Sequence, residues 1–282
     1  MTSKKLYQYL KMLHGFNSVS MGLAVVMGYI ITLISHQLVL DVGTLLAATF
    51  SAVFITSAGF VINDIEDIEI DRINRPDRPL AAGDISTRTA WWTYHLFNVL
   101  GMVLAFLVNP ITGVLALVMV VVLYAYSRYL KRRFLVGHAT VGMLGALVLP
   151  FGGIAAGHLF PVLYIAPVAF AAFFAREILK TVPDYEGDKA NGVDNIATRY
   201  SPQAALRLAK IILSALVLVL PLLTFVWALN QWFNIIVLIL IWPVTFFALY
   251  KATSHNVKAP LMVSKLLLLM VSASLVVGTL PV

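Results

Sequence analysis

Apolar residues fall in runs about twenty long, broken at regular intervals by short polar or turn-forming stretches. Nine such runs predict helices: Phe16–Ile34, Leu40–Ile62, Thr89–Val108, Ile111–Tyr129, Leu135–Ala156, Phe160–Leu179, Ala204–Trp227, Trp232–Lys251 and Leu261–Leu280. At 1.5 Å rise per residue, a run of about 20 residues matches a hydrocarbon core about 30 Å thick. Every second connector is short: Ser35-His36-Gln37, Asn109-Pro110, Gly157-His158 and Asn230-Gln231. The alternate ones are longer, notably Asn63–Arg88 and Lys180–Gln203. The pattern predicts an all-α polytopic membrane protein, one domain over residues 1–282. The basic start (Lys4, Lys5, Lys11) is followed by an apolar stretch too long for a cleavable signal.

The charges sort by side. With nine spans and the N-terminus inside, all 20 Lys and Arg residues fall on the N-terminal side, in the even connectors or adjoining helix ends. That is the positive-inside pattern, which predicts a cytoplasmic N-terminus and a site facing the cytoplasm of a cell membrane. Of the 13 acidic residues, Asp41 alone lies on the opposite side. Span interiors hold only mild polar groups such as Ser51, Thr56, Ser57 and Asn98, which suit helix–helix hydrogen bonds better than a transport path. Chemistry is therefore expected at one membrane face, with an apolar chamber enclosed by the bundle behind it. The glycines of Gly137–Gly157 serve either close helix packing or the wall of a long ligand site, and Pro150, Pro167 and Pro243 are candidate kinks.

Composition narrows the partners. The chain is 60% hydrophobic and 12% charged, against about 25% charged in soluble domains. The absence of cysteine removes disulfides, thiolate metal sites and thiol catalysis. A net charge of +7 suits nucleic acid, anionic lipid or a phosphorylated substrate, and this hydropathy makes nucleic acid the poorest fit. No obligate protein partner is indicated.

Where the second apolar run ends, the chain reads Asn63-Asp64-Ile65-Glu66-Asp67-Ile68-Glu69-Ile70-Asp71. If the helix continues, Asn63, Asp67 and Asp71 stack on one face, Asp64 sits one step around, and Glu66 and Glu69 point elsewhere. Clustered carboxylates near a membrane repel unless cations neutralise them, and an oxygen-only donor set suits Mg²⁺. A solvated acidic helix end is the competing reading. A second cluster, Pro183-Asp184-Tyr185-Glu186-Gly187-Asp188-Lys189, forms a weak repeat of the first. In that repeat Asp184 falls on Asp67, Asp188 on Asp71, Lys189 on Arg72 and Asn191 on Asn74. Pro183 predicts that the sixth helix ends or kinks near Val182, turning Asp184 and Asp188 inward.

Cations accompany both clusters: Arg72, Arg75 and Arg78 after the first, Arg176 and Lys180 before the second. Acids that hold a metal beside Arg and Lys that hold phosphate make a diphosphate site, with salt-bridged loop structure as the alternative for each cation. No glycine-rich phosphate loop, histidine pair at metal spacing or Ser-His-Asp arrangement is present. A metal–diphosphate site opening on an apolar bundle suggests an isoprenyl diphosphate substrate.

These segments resemble the UbiA superfamily of intramembrane prenyltransferases. NDIEDIEIDRINRPDRPLAAGDIS resembles its first signature and PDYEGDKANGVDNIATRYS its second; Asn17 and Tyr126-Ser127-Arg128-Tyr129-Leu130-Lys131 also match family positions. The resemblance implies Mg²⁺, as two ions, held by Asn63, Asp67, Asp184 and Asp188 with Asp64 and Asp71 supporting or also bound. It implies Lys131, Arg72 and Lys180 as diphosphate contacts and Tyr126 beside the reactive carbon. Asp67, Asp184, Tyr126 and Lys131 are thus the candidate catalytic residues. Asn17, Arg72, Lys131, Arg176, Lys180 and Lys189 are the candidate substrate contacts. Arg176-Glu177-Ile178-Leu179-Lys180 is most similar to the archaeal branch, which transfers geranylgeranyl from its diphosphate to the hydroxyl of geranylgeranylglyceryl phosphate. An aromatic acceptor, as in quinone, tocopherol or chlorophyll pathways, is the alternative, and a non-enzymatic transporter or lipid-binding scaffold the remote one. The sequence departs from the family pattern at Thr181, His14 and His138, where many members carry Asp, Arg and Asn.

Overall fold

The structure is a computed structural model describing residues 3–160, 162–227 and 229–281. A short helix, α1 (Ser3–Met12), precedes the first span, α2 (Gly15–Ser35). The second span, α3 (Val42–Glu66), runs into a short α4 (Ile68–Asn74). Then come α5 (Thr87–Val108), α6 (Pro110–Leu130), α7 (Val136–Ala155) and α8 (Val162–Lys180). Two short helices, α9 (Tyr185–Ala190) and α10 (Ile196–Arg199), lead to α11 (Pro202–Trp227), α12 (Gln231–Lys251) and α13 (Lys258–Thr279). Nine of these, among the described residues, are long and apolar enough to cross a membrane, and they coincide with the nine predicted spans.

The sequence starts these helices with polar caps. Asp41 accepts from the Thr44 amide at 3.2 Å and Ser86 from the Thr89 amide at 3.1 Å. Asn109 and Thr112 form a reciprocal box at the start of α6. Such caps satisfy amide groups that have no partner inside the helix, typically worth about 1 kcal/mol each. Prolines mark changes of helical type. A break at Leu147 precedes Pro150, Pro167 follows a 3₁₀ turn at Val162–Ile165, and Pro243 follows a π turn at Val237–Ile241.

Packing follows chain order around the bundle. Each span packs against the next, and α13 returns to α2, so the ring closes; α2 also packs on α7 and α8 on α13. The outer flanks expose large apolar side chains, for example Val103 and Leu107 of α5 and Val114 and Val121 of α6, as lipid requires. The interior is tight where glycines face backbone. A Cβ on Gly28 would lie 2.2 Å from the Leu149 carbonyl oxygen, and one on Gly152 would lie 2.2 Å from that of Val25. The two glycines therefore let α2 and α7 touch backbone to backbone, which assigns this part of the glycine-rich stretch to packing.

Gly152→Ala puts a methyl group where the Val25 carbonyl sits and neither backbone can yield cheaply. We expect a loss of about 1–3 kcal/mol, read as a lowered midpoint for thermal unfolding of the purified protein in detergent.

Candidate active site

The first acidic segment does not continue as a straight helix. At Asp67 the backbone turns to φ −103°, ψ 7°, α3 ends, and α4 begins one residue later. One bond bridges the break, from the Asp71 amide to the Asp67 carbonyl at 2.7 Å. The expected stacking survives in altered form: Asn63, Asp67 and Asp71 all face one cavity. Asp64 points away from it into the protein, between Arg78 Nη1 at 2.8 Å and His14 Nε2 at 3.0 Å.

The second segment turns inward as Pro183 predicts. α8 ends at Lys180, two residues before Val182, and the Thr181 hydroxyl donates back to the Ile178 carbonyl at 2.7 Å. Asp184 then stands at the start of α9, and both Asp184 and Asp188 line the same cavity as the first segment. Asn74 couples the two segments. Its Nδ2 donates to the Asp184 carbonyl at 3.0 Å and its Oδ1 accepts from the Gly187 amide at 2.9 Å. A Cβ at residue 187 would sit 2.4 Å from that amide group, so only glycine leaves room for it.

A third wall comes from the end of α6, where a π turn over Tyr126–Leu130 sets the Lys131 amide on the Tyr126 carbonyl at 3.0 Å. Both side chains reach the cavity, Lys131 pairing with Asp67 and donating to Asn63 Oδ1 at 3.2 Å. Arg75 grips both oxygens of Asp184, at 2.6 and 2.7 Å. Arg78, 15% exposed, bridges Asp71 at 2.6 Å and Asp64. Removing a cation from such a buried pair typically costs about 3–5 kcal/mol, because a bare carboxylate stays behind. Asp188 instead accepts a neutral amide bond from Asn195 at 2.9 Å.

The electrostatics match the crowding. Burial above all, opposed by Arg78 and aided by Asp67 and Asp64, raises the Asp71 pKa from 3.8 to about 6. Burial and then the neighbouring Asp184 raise Asp188 to about 6 as well. Among the described residues, no three acidic or histidine side chains converge closely enough to hold a metal ion unaided. The donors nevertheless fit a hard divalent cation: five carboxylates (Asp67, Asp71, Glu177, Asp184 and Asp188) and the side-chain amides of Asn63, Asn74 and Asn195 line the cavity, and burial holds Asp71 and Asp188 above the usual carboxylate pKa.

Not every predicted contact lies there. Arg72 is 57% exposed and turned to Glu69 at 2.7 Å, because it sits one helical step, about 100°, around α4 from Asp71. Lys189 leans over the Tyr185 ring outside the cavity, its Nζ 5.3 Å from the centroid. Asn17, in the first turn of α2, and Arg176, paired with Glu177 at 3.1 Å, also lie outside the cavity lining. Lys180 does line it, donating to Glu177 at 2.7 Å. The side chains that sequence reasoning left without a role are Asn74, Asn195 and Glu177. Asn195 carries a legible cap signal, Asn195-x-x-Thr198, but its reach to Asp188 is a tertiary contact.

The UbiA prenyltransferase family pattern matches residues 23–271. The chain belongs to the UbiA prenyltransferase family. UbiA relatives extend the likeness nearly end to end. A digeranylgeranylglyceryl phosphate synthase of Sulfolobus acidocaldarius is 34% identical over 250 residues, 88% of this chain and 87% of that one. A solved structure concerning digeranylgeranylglyceryl phosphate synthase in membranes superposes with a TM-score of 0.72 at 30% identity, covering 98% of this chain and 99% of that one. A UbiA homologue from Archaeoglobus fulgidus, solved with GPP and Mg²⁺, gives a TM-score of 0.75 at 22% identity, over 96% and 98% of the two chains. With nine spanning helices, this UbiA member is a multi-pass membrane protein.

Two outcomes follow from the site's construction. Asn74→Ala removes the link between α4 and α9, and magnesium affinity should fall about 10–100-fold, measured by isothermal titration calorimetry. The pH dependence has a fixed sign. Asp71 and Asp188 are raised above 3.8, so ionising them in the metal-free fold is penalised as pH climbs toward 6, and a cation relieves that penalty. Magnesium-induced thermal stabilisation should therefore grow from about pH 5 to about pH 7 and then level off, since below about 6 each ion must displace protons.

Proposed function

We propose that the protein transfers a geranylgeranyl group from geranylgeranyl diphosphate to the free hydroxyl of geranylgeranylglyceryl phosphate, forming the second ether of an archaeal membrane lipid. The observation that carries this reading is the meeting of Asp67, Asp71, Asp184 and Asp188 with Lys131, Arg75, Arg78 and Lys180 in one cavity at an end of an apolar bundle. The relatives named for this activity, matching over most of the chain, support the acceptor.

Asn63, Asp67 and Asp71 would hold one magnesium ion and Asp184 and Asp188 a second, with Asp64 buttressing the set through Arg78. Bound magnesium supplies positive charge that stabilises the departing diphosphate. The protein's own cations extend that charge: Lys131, Lys180, Arg75 and Arg78 can each turn from a carboxylate to a phosphate oxygen. The bond between prenyl C1 and the diphosphate oxygen breaks, its electron pair leaving with the diphosphate. The acceptor hydroxyl oxygen bonds to C1, and its proton ends on the released diphosphate. Tyr126 presents an aromatic face that stabilises the positive carbon, and the surrounding bundle excludes water that would quench it. The positive-inside distribution supports a cytoplasmic site.

Asp67→Ala and Asp184→Ala should each lower turnover about 100-fold or more, assayed as labelled geranylgeranyl transfer by the purified enzyme. Offering geranylgeranylglyceryl phosphate and aromatic acceptors side by side, with products read by mass spectrometry, tests the acceptor. An ether product is expected, and prenylated rings alone would overturn the assignment.

A further inference from the structure

His138 is the third residue of α7; it is 6% exposed, and its ring lines the active-site cavity. Its Nδ1 is enclosed and has no hydrogen-bond partner. A buried polar atom left unpaired costs stability, so its presence asks for a reason. With Nδ1 walled in, Nε2 is the ring nitrogen left to meet whatever enters the cavity. Gly137 brings the start of α7 against the chain at Lys131, where a Cβ would lie 2.7 Å from the Lys131 Cα. The His138 ring also meets Phe174 of α8 edge-on, centroids 6.3 Å apart, and Phe174 stacks at 5.7 Å on Phe170, one turn deeper in the bundle. His138 therefore stands where the charged wall of the cavity gives way to an aromatic interior.

Prenyl transfer needs a group at that boundary. A diphosphate held among the charges turns its prenyl C1 toward the apolar side, and an acceptor oxygen that bonds to C1 must lose its proton there. The acids of the cavity are committed elsewhere: Asp67 to Lys131, Asp71 to Arg78, Asp184 to Arg75, Glu177 to Arg176 and Lys180, and Asp188 to Asn195. Magnesium would hold the four aspartates more firmly still, and a carboxylate bound to a dication is a poor base. The imidazole of His138 carries a basic nitrogen with no such commitment among the described residues.

We propose that His138 is a further catalytic residue, whose Nε2 accepts the hydrogen bond of the acceptor hydroxyl and takes its proton as the bond from oxygen to C1 forms. The ring starts neutral with its own proton on Nδ1. The bond between C1 and the diphosphate breaks with its electron pair on the diphosphate. The imidazolium then hands the Nε2 proton to that diphosphate, and the ring returns to its starting state. This role rests on the transfer reading and adds the route of the proton to it. A histidine held only for packing on Phe174 could be replaced by phenylalanine, which keeps the flat ring and leaves no nitrogen unpaired.

The test uses full-length enzyme in nanodiscs, with His138→Phe and His138→Ala. Both should lower kcat for ether formation about 100-fold, the scale of a lost general base, and leave the affinity for geranylgeranyl diphosphate with magnesium nearly unchanged. His138→Phe should unfold at the wild-type temperature or above it, which separates lost chemistry from a lost fold. Added imidazole should restore turnover to His138→Ala, more so for methylated imidazoles of higher pKa, and should not help His138→Phe, whose ring fills the space. Full turnover by His138→Phe, or no rescue of His138→Ala, would overturn the role. A binding arm without magnesium or diphosphate reads the hydroxyl contact by itself. The wild type should bind geranylgeranylglyceryl phosphate about 3–10-fold more tightly than the analogue with hydrogen in place of the hydroxyl, and His138→Phe should bind the two alike. If that preference is seen and no ether forms, the transfer assignment fails and takes the proton's route with it, while the hydroxyl contact stands. If the wild type binds both lipids alike, the role of His138 fails whatever the assay shows.

Discussion

The charged end of this molecule answers one electrostatic problem: four aspartates, Asp67, Asp71, Asp184 and Asp188, share a cavity at the rim of a low-dielectric bundle. Left bare, they would repel one another and drive each other's ionisation down. The fold answers with Lys131 on Asp67, from the end of α6, and with Arg78 on Asp71 and Arg75 on Asp184, both from the connector that follows α4. Asp188 has no cation within salt-bridge distance among the described residues and accepts from the Asn195 amide instead, and it is one of the two acids whose pKa climbs to about 6. The cations that neutralise these acids are the groups a diphosphate would claim, so one set of charges would serve both folding and binding.

Backbone geometry makes that arrangement possible. The turn at Asp67, the end of α8 at Lys180 and the π turn at Tyr126–Leu130 each interrupt a helix as it leaves the bundle. Interruptions of this kind free the chain to aim side chains sideways across the bundle axis. Asn74 then fixes the spacing between the two acidic segments through two hydrogen bonds, using the room that Gly187 leaves. The two acidic segments are thus joined by a neutral amide bridge as well as by the Arg75–Asp184 ion pair.

The bundle was legible in the sequence because a membrane span is written locally, as some twenty apolar residues between polar marks. The inward turn before Asp184 was legible for the same reason, since Pro183 acts on its own neighbours. The break at Asp67 was not. Periodicity favoured a continuous helix through Asn63, Asp67 and Asp71, and the turn there occurs in a segment packed against distant residues. Arg72 looked like a phosphate ligand from its position after the acids, but one helical step sends it to Glu69 and solvent. Arg75 and Arg78 took the inward places, and Asn74 meets Gly187 across 113 residues of chain. Contacts of that span leave no local pattern.

The placement of polar chemistry at one end of an otherwise greasy barrel has a consequence for traffic. Along the flanks, Val103, Leu107, Val114 and Val121 meet lipid directly. Reactants with long hydrocarbon chains can arrive and depart by lateral diffusion, never surrendering their tails to water. Only a small, fully hydrated anion has to cross into the aqueous phase.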